Sequence, residues 1–426
     1  MKTCIKNGYI ITADKYDTCL LGCVHIEDGI IRYVGSEQGA PVSGGRVIDA
    51  KGGIIAPGFI NTHTHVPMTL FRGAADDMPL MDWLQNKIWP AEEKLDEQAV
   101  YWGTMLAIAE LVSGGVTCFS DMYNFTDVIA RAANESGIRA LIATAVMDVD
   151  GEGDRRLKTA EELFGIVKDY KRVNAAIGPH AEYTVSPALF LKVRDMALRL
   201  DSRVHVHISE TKGEHADCIS RHGKTPIALL DSLGVTDAPV MAAHCVWVED
   251  DDIEIMAKKG VSVMSCPGSN LKLGSGIART ASMLQRGVNV SCATDGAASN
   301  NNLSMMEEMT LFALLQKGVN LDAALIPAKT ALRVATINGA KALGIDSITG
   351  SLEVGKQADI IVINTDGFRY CPDTDLVNHL VYSGSDADVM LTMVGGDILY
   401  ENGEIKFADS QRIKSNAAQY SRSILA

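Results

Sequence analysis

GFINTHTHV at 58–66 is the stretch that decides the fold. It is a short apolar run with β-branched residues, ending in two histidines and leading into a longer segment of helical texture. Seven more runs of this kind follow: TCFSDM (117–122), RALIATAVM (139–147), VNAAIGPH (173–180), RVHVHISE (203–210), VMAAHCVW (240–247), VSVMSCP (261–267) and VNVSCATDG (288–296). Strand-like runs that alternate with helical segments are the signature of βα units around a parallel sheet. Eight of them predict a closed (β/α)8 barrel of the TIM type, with a doubly wound open sheet as the alternative. Between the first two, EQAVYWGTMLAIAELVSGG carries apolar residues at helical spacing and stops at Gly114–Gly115, a C-terminal glycine signal.

Outward from the barrel the texture changes at both ends. CIKNGYIITA, CVHIEDGIIRYVG and RVIDAKGGIIAPG precede it, with a D-G hairpin signal at 28–29, and SLEVGKQADIIVIN, DVMLTMVGGDILY and NGEIKFA follow Gly350. Each set is too short for a stable sheet of its own. Together they predict a small β-sandwich domain built from 1–57 plus 351–426, beside a catalytic barrel at 58–350. The closing SQRIKSNAAQYSRSILA reads as an amphipathic helix.

Composition narrows the function classes. A chain of 426 residues, 47% apolar and 22% charged, buries a large core and is neither disordered nor a stapled mini-scaffold. Its net charge of −14 repels phosphate backbones and anionic lipid, which argues against nucleic acid and membrane partners. Nine scattered cysteines without a C-x-x-C pair fit reduced thiols, and neither a signal-type apolar core nor a spanning run is visible, so a cytoplasmic protein is expected.

The histidines point to chemistry. His63 and His65 form H-x-H at the end of the first barrel strand, where residues two apart share a face. His205 and His207 repeat the pattern on the fifth strand with Glu210 just beyond, and Asp295 follows the eighth. Barrel strand ends converge on one rim. His63, His65, His207 and Asp295 are therefore a candidate metal set with an open position, suited to Zn²⁺ and also to Fe²⁺ or Mn²⁺. The glycines of CPGSNLKLGSG lack G-x-G-x-x-G spacing, which argues against a dinucleotide cradle.

PGFINTHTHVPMTLFRG, HISET, AAHCVW, CPGSNLKLGSG, ATDGAASNNNLSM and the closing DLVNHLVYSGSDADVMLTMVGG together resemble the amidohydrolase superfamily, and within it the 5-methylthioadenosine/S-adenosylhomocysteine deaminase group. The resemblance runs over nearly the whole chain. It implies one divalent ion, because the fourth strand, VNAAIGPHAEY, offers no lysine where binuclear members carry a carboxylated one. It implies a hydrolytic deaminase that converts an adenosine-type nucleoside (5-methylthioadenosine, S-adenosylhomocysteine, 5-deoxyadenosine or adenosine) to the inosine-type product and ammonia. Glu210 corresponds to the proton shuttle, His244 to the residue that polarises water without ligating the metal, and Asp295 can share the proton traffic.

On the substrate side the same resemblance assigns Trp83 and Glu92, nine residues apart, to the nucleoside pocket, with His180, Glu210 and Ser299 as further contacts and Asn270 as a candidate. Arg156 corresponds to a carboxylate-binding arginine, with Arg155 as a substitute, while Thr144 stands where a second arginine is expected. That loss favours nucleosides lacking an amino-acid tail. Other amino-heterocycles (guanine, 8-oxoguanine, a pterin, an aminotriazine) and a halide-releasing s-triazine hydrolase are the alternatives. Glu210 argues against the last, because chloride leaves without a proton. A homo-oligomer, dimer or tetramer, is expected from the group.

Overall fold

The computed structural model describes residues 1–41, 44–74 and 76–426. All eight predicted runs are strands: β1 (Phe59–Thr64), β2 (Val116–Tyr123), β3 (Arg139–Val146), β4 (Val173–Pro179), β5 (Val204–Ile208), β6 (Val240–His244), β7 (Ser262–Ser265) and β8 (Asn289–Cys292). Neighbours pair in parallel, in sequence order, as one eight-stranded sheet. The sheet closes between β8 and β1 mainly through side chains. Asn61 and Thr294 exchange hydrogen bonds (Nδ2 to Oγ1, 2.7 Å; Thr294 N–H to Oδ1, 3.1 Å), Thr62 donates to the Cys292 carbonyl (3.0 Å), and the Asp295 N–H donates to the His63 carbonyl (3.0 Å). This is a TIM-type barrel.

The period of two along each strand sorts side chains into two layers. Leu141, Ala143 and Ala145 of β3 join Ile60, Met241 and Met264 inside the barrel, while Ile142 and Val146 pack outward against the helices. The helix Glu97–Ser113 starts on an Asp96 cap that accepts the Ala99 N–H (2.8 Å) and ends at Gly114, as its sequence predicts. The terminal helix Ser410–Leu425 buries Ile413, Ala417 and Ile424, and its Ser421 donates to the Leu70 carbonyl (2.6 Å). Among the described residues no helix is long and apolar enough to cross a membrane.

Strands from both chain ends form one mixed sheet of nine strands. Its central contact pairs Ile54–Pro57 from the N-terminal part with Ile360–Ile363 from the C-terminal part, antiparallel. Alternation again decides what each residue touches: Ile55, Ile360 and Val362 pack into the sheet's own core, whereas Ile54, Ala56, Ile361 and Ile363 pack against the barrel. The sheet curls until its Asp28–Gly29 turn meets the segment leading into Ile360–Ile363, where the Ala358 N–H donates to the Gly29 carbonyl (2.8 Å). Gly29 sits at φ +78°, and a Cβ there would lie 2.4 Å from the Gly395 carbonyl oxygen, so only glycine fits. At the start of β3, Arg139 binds Asp359 through two bonds (2.9 and 3.0 Å), both side chains buried, which locks the sheet to the barrel floor.

Candidate active site

The opposite end of the barrel gathers the histidines. His63 and His65 leave β1, His207 leaves β5, and Asp295 follows β8 in the left-handed region (φ +61°). Ser209, His244 and Cys245, just past or at the ends of β5 and β6, are also left-handed (φ +49°, +68° and +49°). Backbone strain of this kind costs about 1–3 kcal/mol per residue and is held only where the surroundings over-determine it.

Each imidazole is anchored by one nitrogen and aims the other at a common point. His65 Nδ1–H donates to the Met122 carbonyl (2.6 Å) and His207 Nδ1–H to the His180 carbonyl (2.8 Å). His63 Nδ1–H donates to His205 Nε2 (2.7 Å), and His205 in turn reaches Ser120 Oγ (3.3 Å). Ser269 and Ser299 donate to Asp295 Oδ2 (2.6 and 2.8 Å), which leaves Oδ1 facing the imidazoles.

The facing atoms then lie 3.4 Å (His63 Nε2 to Asp295 Oδ1), 3.3 Å (His65 Nε2 to Asp295 Oδ1) and 3.4 Å (His207 Nε2 to His65 Nε2) apart. Donors about 2.0–2.1 Å from one ion and a tetrahedral angle apart are separated by about 3.3–3.4 Å. His63 Nε2 and Asp295 Oδ1 are buried without a hydrogen-bond partner, a state that a cation resolves. Burial pushes the His63 pKa down to about 4, and burial with neighbouring histidines holds His205 and His207 well below the usual range, so the imidazoles keep free lone pairs. Burial alone would raise Asp295, but contact with His63 and the rings of His65 and His244 hold it well below, as a carboxylate. The four residues fit a divalent ion.

His244 and Glu210 complete the polar rim. His244 Nδ1–H donates to Asn270 Oδ1 (2.9 Å), and its Nε2 lies 3.8 Å from Glu210 Oε2. Burial would lower the His244 pKa, but Glu210 and Asp295 outweigh it and raise it. Glu210 is buried, which raises its carboxyl against the pull of His244, and it accepts a hydrogen bond from Ser275 (3.2 Å). A buried carboxyl with a raised pKa beside a histidine is equipped for proton transfer.

Above these residues opens a cleft of about 760 Å³, the solvent at its mouth included. One wall is an irregular helix from Leu80 to Glu92. Pro90 lacks an N–H and crowds the carbonyl four residues back, and the turn Leu84–Ile88 just before it widens to the π form. In a regular helix residues nine apart face opposite sides. The wide turn removes roughly a quarter-turn, and both Trp83 and Glu92 line the cleft. Tyr123 donates to Glu92 (2.6 Å).

His180 and Ser299 also line the cleft, with Ser299 turned to Asp295. Asn270 does not line it; it is buried behind His244. Arg156 is off the cleft wall as well. Its guanidinium grips Asp150 through two bonds of 2.6 Å and the Met147 carbonyl at 2.9 Å, while Arg155 pairs with Glu152. Thr144 is corrected too: it bonds Thr126 (2.8 Å) on the outer side of β3, and Ala145 and Met147 are the β3-end residues that face the cleft. Among the described residues lining the cleft there is no lysine or arginine.

Three residues support the site from behind, of which the H-x-H pattern marks only His205, without its role. His205 lies one layer below His207 and orients His63. Asp121 accepts from the Val66 N–H (2.7 Å) and Thr64 (3.0 Å), fixing the turn that carries His65. Glu214 accepts from the Ser209, Glu210 and Thr211 N–H groups (2.9, 2.8 and 3.4 Å) and so clamps the Glu210 loop. T-x-x-E at 211–214, a capping-box pattern, was the available signal for Glu214.

Known proteins resemble the chain over almost its whole length. The amidohydrolase family model matches residues 54–399. A 5-methylthioadenosine/S-adenosylhomocysteine deaminase of Thermoanaerobacter pseudethanolicus is 42% identical over 100% of both chains. A 5'-deoxyadenosine deaminase of Methanosarcina mazei is 41% identical over 99% of this chain and 98% of its own. The crystal structure of an adenosine deaminase from Xanthomonas campestris with bound zinc superposes with a TM-score of 0.96 at 37% identity, covering 99% of this chain and 98% of that one. With its histidine and aspartate rim on a closed barrel, the chain belongs to the amidohydrolase family.

Proposed function

We propose that this protein is a metal-dependent deaminase of adenosine-type nucleosides, releasing ammonia and the inosine-type product. The observation that carries the reading is the buried Glu210, 3.8 Å from His244, beside the donor atoms of His63, His65, His207 and Asp295, each 3.3–3.4 Å from another of them, at the bottom of the cleft. Those four residues would hold one divalent ion, Zn²⁺ by analogy with the zinc-bound Xanthomonas structure, which supplies a nucleophile by acidifying water at neutral pH.

The chain's own residues do the rest. Glu210 takes a proton from the attacking water and donates it to the ring nitrogen next to the amine-bearing carbon as aromaticity is lost, then takes the second proton from the added hydroxyl as the carbonyl forms and delivers it to the leaving amine. His244, fixed by Asn270, presents Nε2 to the same space and steadies the attacking water. Trp83 offers a face for the base or an alkylthio group, and Glu92 accepts from ribose hydroxyls with the oxygen that Tyr123 leaves free. His180 and Ser299 complete the substrate wall in this reading.

The cleft also bears on the 5-position. Met68, Met122, Met147, Leu80 and Leu84 line it without a cation, and Arg156 is held by Asp150. A neutral, small 5-substituent, as in 5-methylthioadenosine or 5-deoxyadenosine, suits this wall better than the charged tail of S-adenosylhomocysteine. The test is an ammonia-release panel on metal-replete protein with 5-methylthioadenosine, 5-deoxyadenosine, adenosine, S-adenosylhomocysteine, guanine and 8-oxoguanine. The highest kcat/KM is expected for the first two. Turnover of guanine or 8-oxoguanine without any nucleoside would overturn the reading.

A further inference from the structure

We propose that Cys4, Cys23 and His25 form a second cation site, taking a soft, thiophilic divalent ion such as Zn²⁺, on the terminal sheet and apart from the cleft. Cys4 lies on strand Lys2–Ile11, and Cys23 and His25 lie on the neighbouring antiparallel strand Cys19–Glu27. The register pairs Cys4 directly with His25, and Cys23 is two residues from His25. Residues two apart share a face, so all three side chains project from the same side of the sheet. Ile5, Val24 and Ile26 alternate with them and fill the sheet core on the other side.

The three ligand atoms lie within 4.8 Å of one another, and Cys4 Sγ is 3.5 Å from His25 Nε2. A sulfur about 2.3 Å and a nitrogen about 2.0 Å from one tetrahedral ion are separated by about 3.5 Å, the spacing observed. Both thiols are buried and free of disulfide, and His25 is half-buried, so the site is shielded on the sulfur side and open at the imidazole. The Tyr33 ring meets His25 edge-on at 5.6 Å and is fixed by donation from its hydroxyl to the Ser36 carbonyl (2.6 Å), forming one wall. The three side chains leave the fourth position of a tetrahedral ion to solvent at the half-exposed imidazole edge. Two sulfurs select for thiophilic ions, in contrast to the nitrogen and oxygen donors of the cleft.

This difference in donors gives the test. Cobalt(II) bound through thiolate shows a near-ultraviolet charge-transfer band, and the cleft set contains no sulfur. Full-length protein loaded with Co²⁺ and desalted is expected to hold two equivalents per chain and to show the band. In C4S/C23S the band and one equivalent disappear while kcat for ammonia release is unchanged. A parent with one equivalent and no band, or a band that survives in C4S/C23S, overturns the proposal. H25Q, at the half-exposed member, leaves the sheet core intact and guards against a misfolded double variant. Its Co²⁺ midpoint, read from the band, should weaken by about tenfold or more. An unchanged midpoint also overturns the proposal.

Discussion

The two ends of the barrel hold buried charge in opposite ways. On the floor, Arg139 and Asp359 satisfy each other with two hydrogen bonds, and Asp359 Oδ1 also accepts the Gly395 N–H (2.7 Å). At the rim, His63 Nε2 and Asp295 Oδ1 are buried with no partner, and Ser209, His244, Cys245 and Asp295 are held in left-handed backbone. One end places its polar groups for stability and the other keeps them poised for chemistry, as expected where active sites occupy the C-terminal face of a barrel. A change at the rim should therefore move rate, and a change on the floor should move stability.

The largest effect is expected at Glu210. Glu210→Gln keeps the shape and removes the proton relay, so kcat for ammonia release should fall by about 10²–10⁴-fold, with metal content by elemental analysis and Tm unchanged. Loss of metal, or retained turnover, breaks the contrast from the rim side. Next comes Asp359→Ala, which leaves Arg139 buried without its partner. A destabilisation of about 3–5 kcal/mol is expected in denaturant titration, with kcat near the parent value for the folded fraction. A variant with parental stability and lost turnover breaks the contrast from the floor side.

Much of this division was legible in the chain. Eight apolar runs at β-α spacing announce the barrel, because each strand buried on both faces must be apolar throughout. Histidines at strand ends announce the rim, because a parallel barrel brings all those ends together. The unseen parts depend on contacts distant in sequence. H-V-H put His205 and His207 on one face, but their depth, which makes one a support and the other a ligand, comes from the closure of β5 against β1. Thr144 was misplaced because a one-residue slip in a strand exchanges inside for outside. Arg156 carries no local sign that Asp150 holds it, and the wide turn before Pro90 follows from a proline whose consequence is three-dimensional.

Glu214 refines the contrast within the rim itself. It does not line the cleft but fixes the Glu210 loop through three N–H groups, and burial together with Glu210 pushes its carboxyl up to about 7. Glu214→Gln turns an amide N–H₂ toward donors that need an acceptor. A fall in kcat of about tenfold, with KM and Tm close to the parent, is expected if the loop only loses its aim. An equal rise in KM with constant kcat would make Glu214 a substrate-site residue instead.

The smallest effect tests whether the rim also carries the protein's pH sensitivity. Glu308 is buried under the loops that follow β7 and β8, accepting from the Gly268 N–H (2.9 Å) and Asn300 Nδ2 (2.7 Å), and burial pushes it up to about 8 from 4.5 against those bonds. Between these two values the folded chain holds a proton that the unfolded chain has released, so unfolding free energy falls as pH rises through the window and levels above it. Glu308→Gln is neutral throughout and lacks that slope. The variant's Tm relative to the parent should therefore rise between about pH 5 and about pH 8.5, by about 2 °C for each kcal/mol relieved. The Arg139–Asp359 floor supplies the control, since Asp359→Asn should lower Tm by the same amount at both pH values. A Glu308→Gln difference that stays flat would show that the proton on this carboxyl does not tax the folded rim, and the contrast between the two ends would then rest on geometry alone.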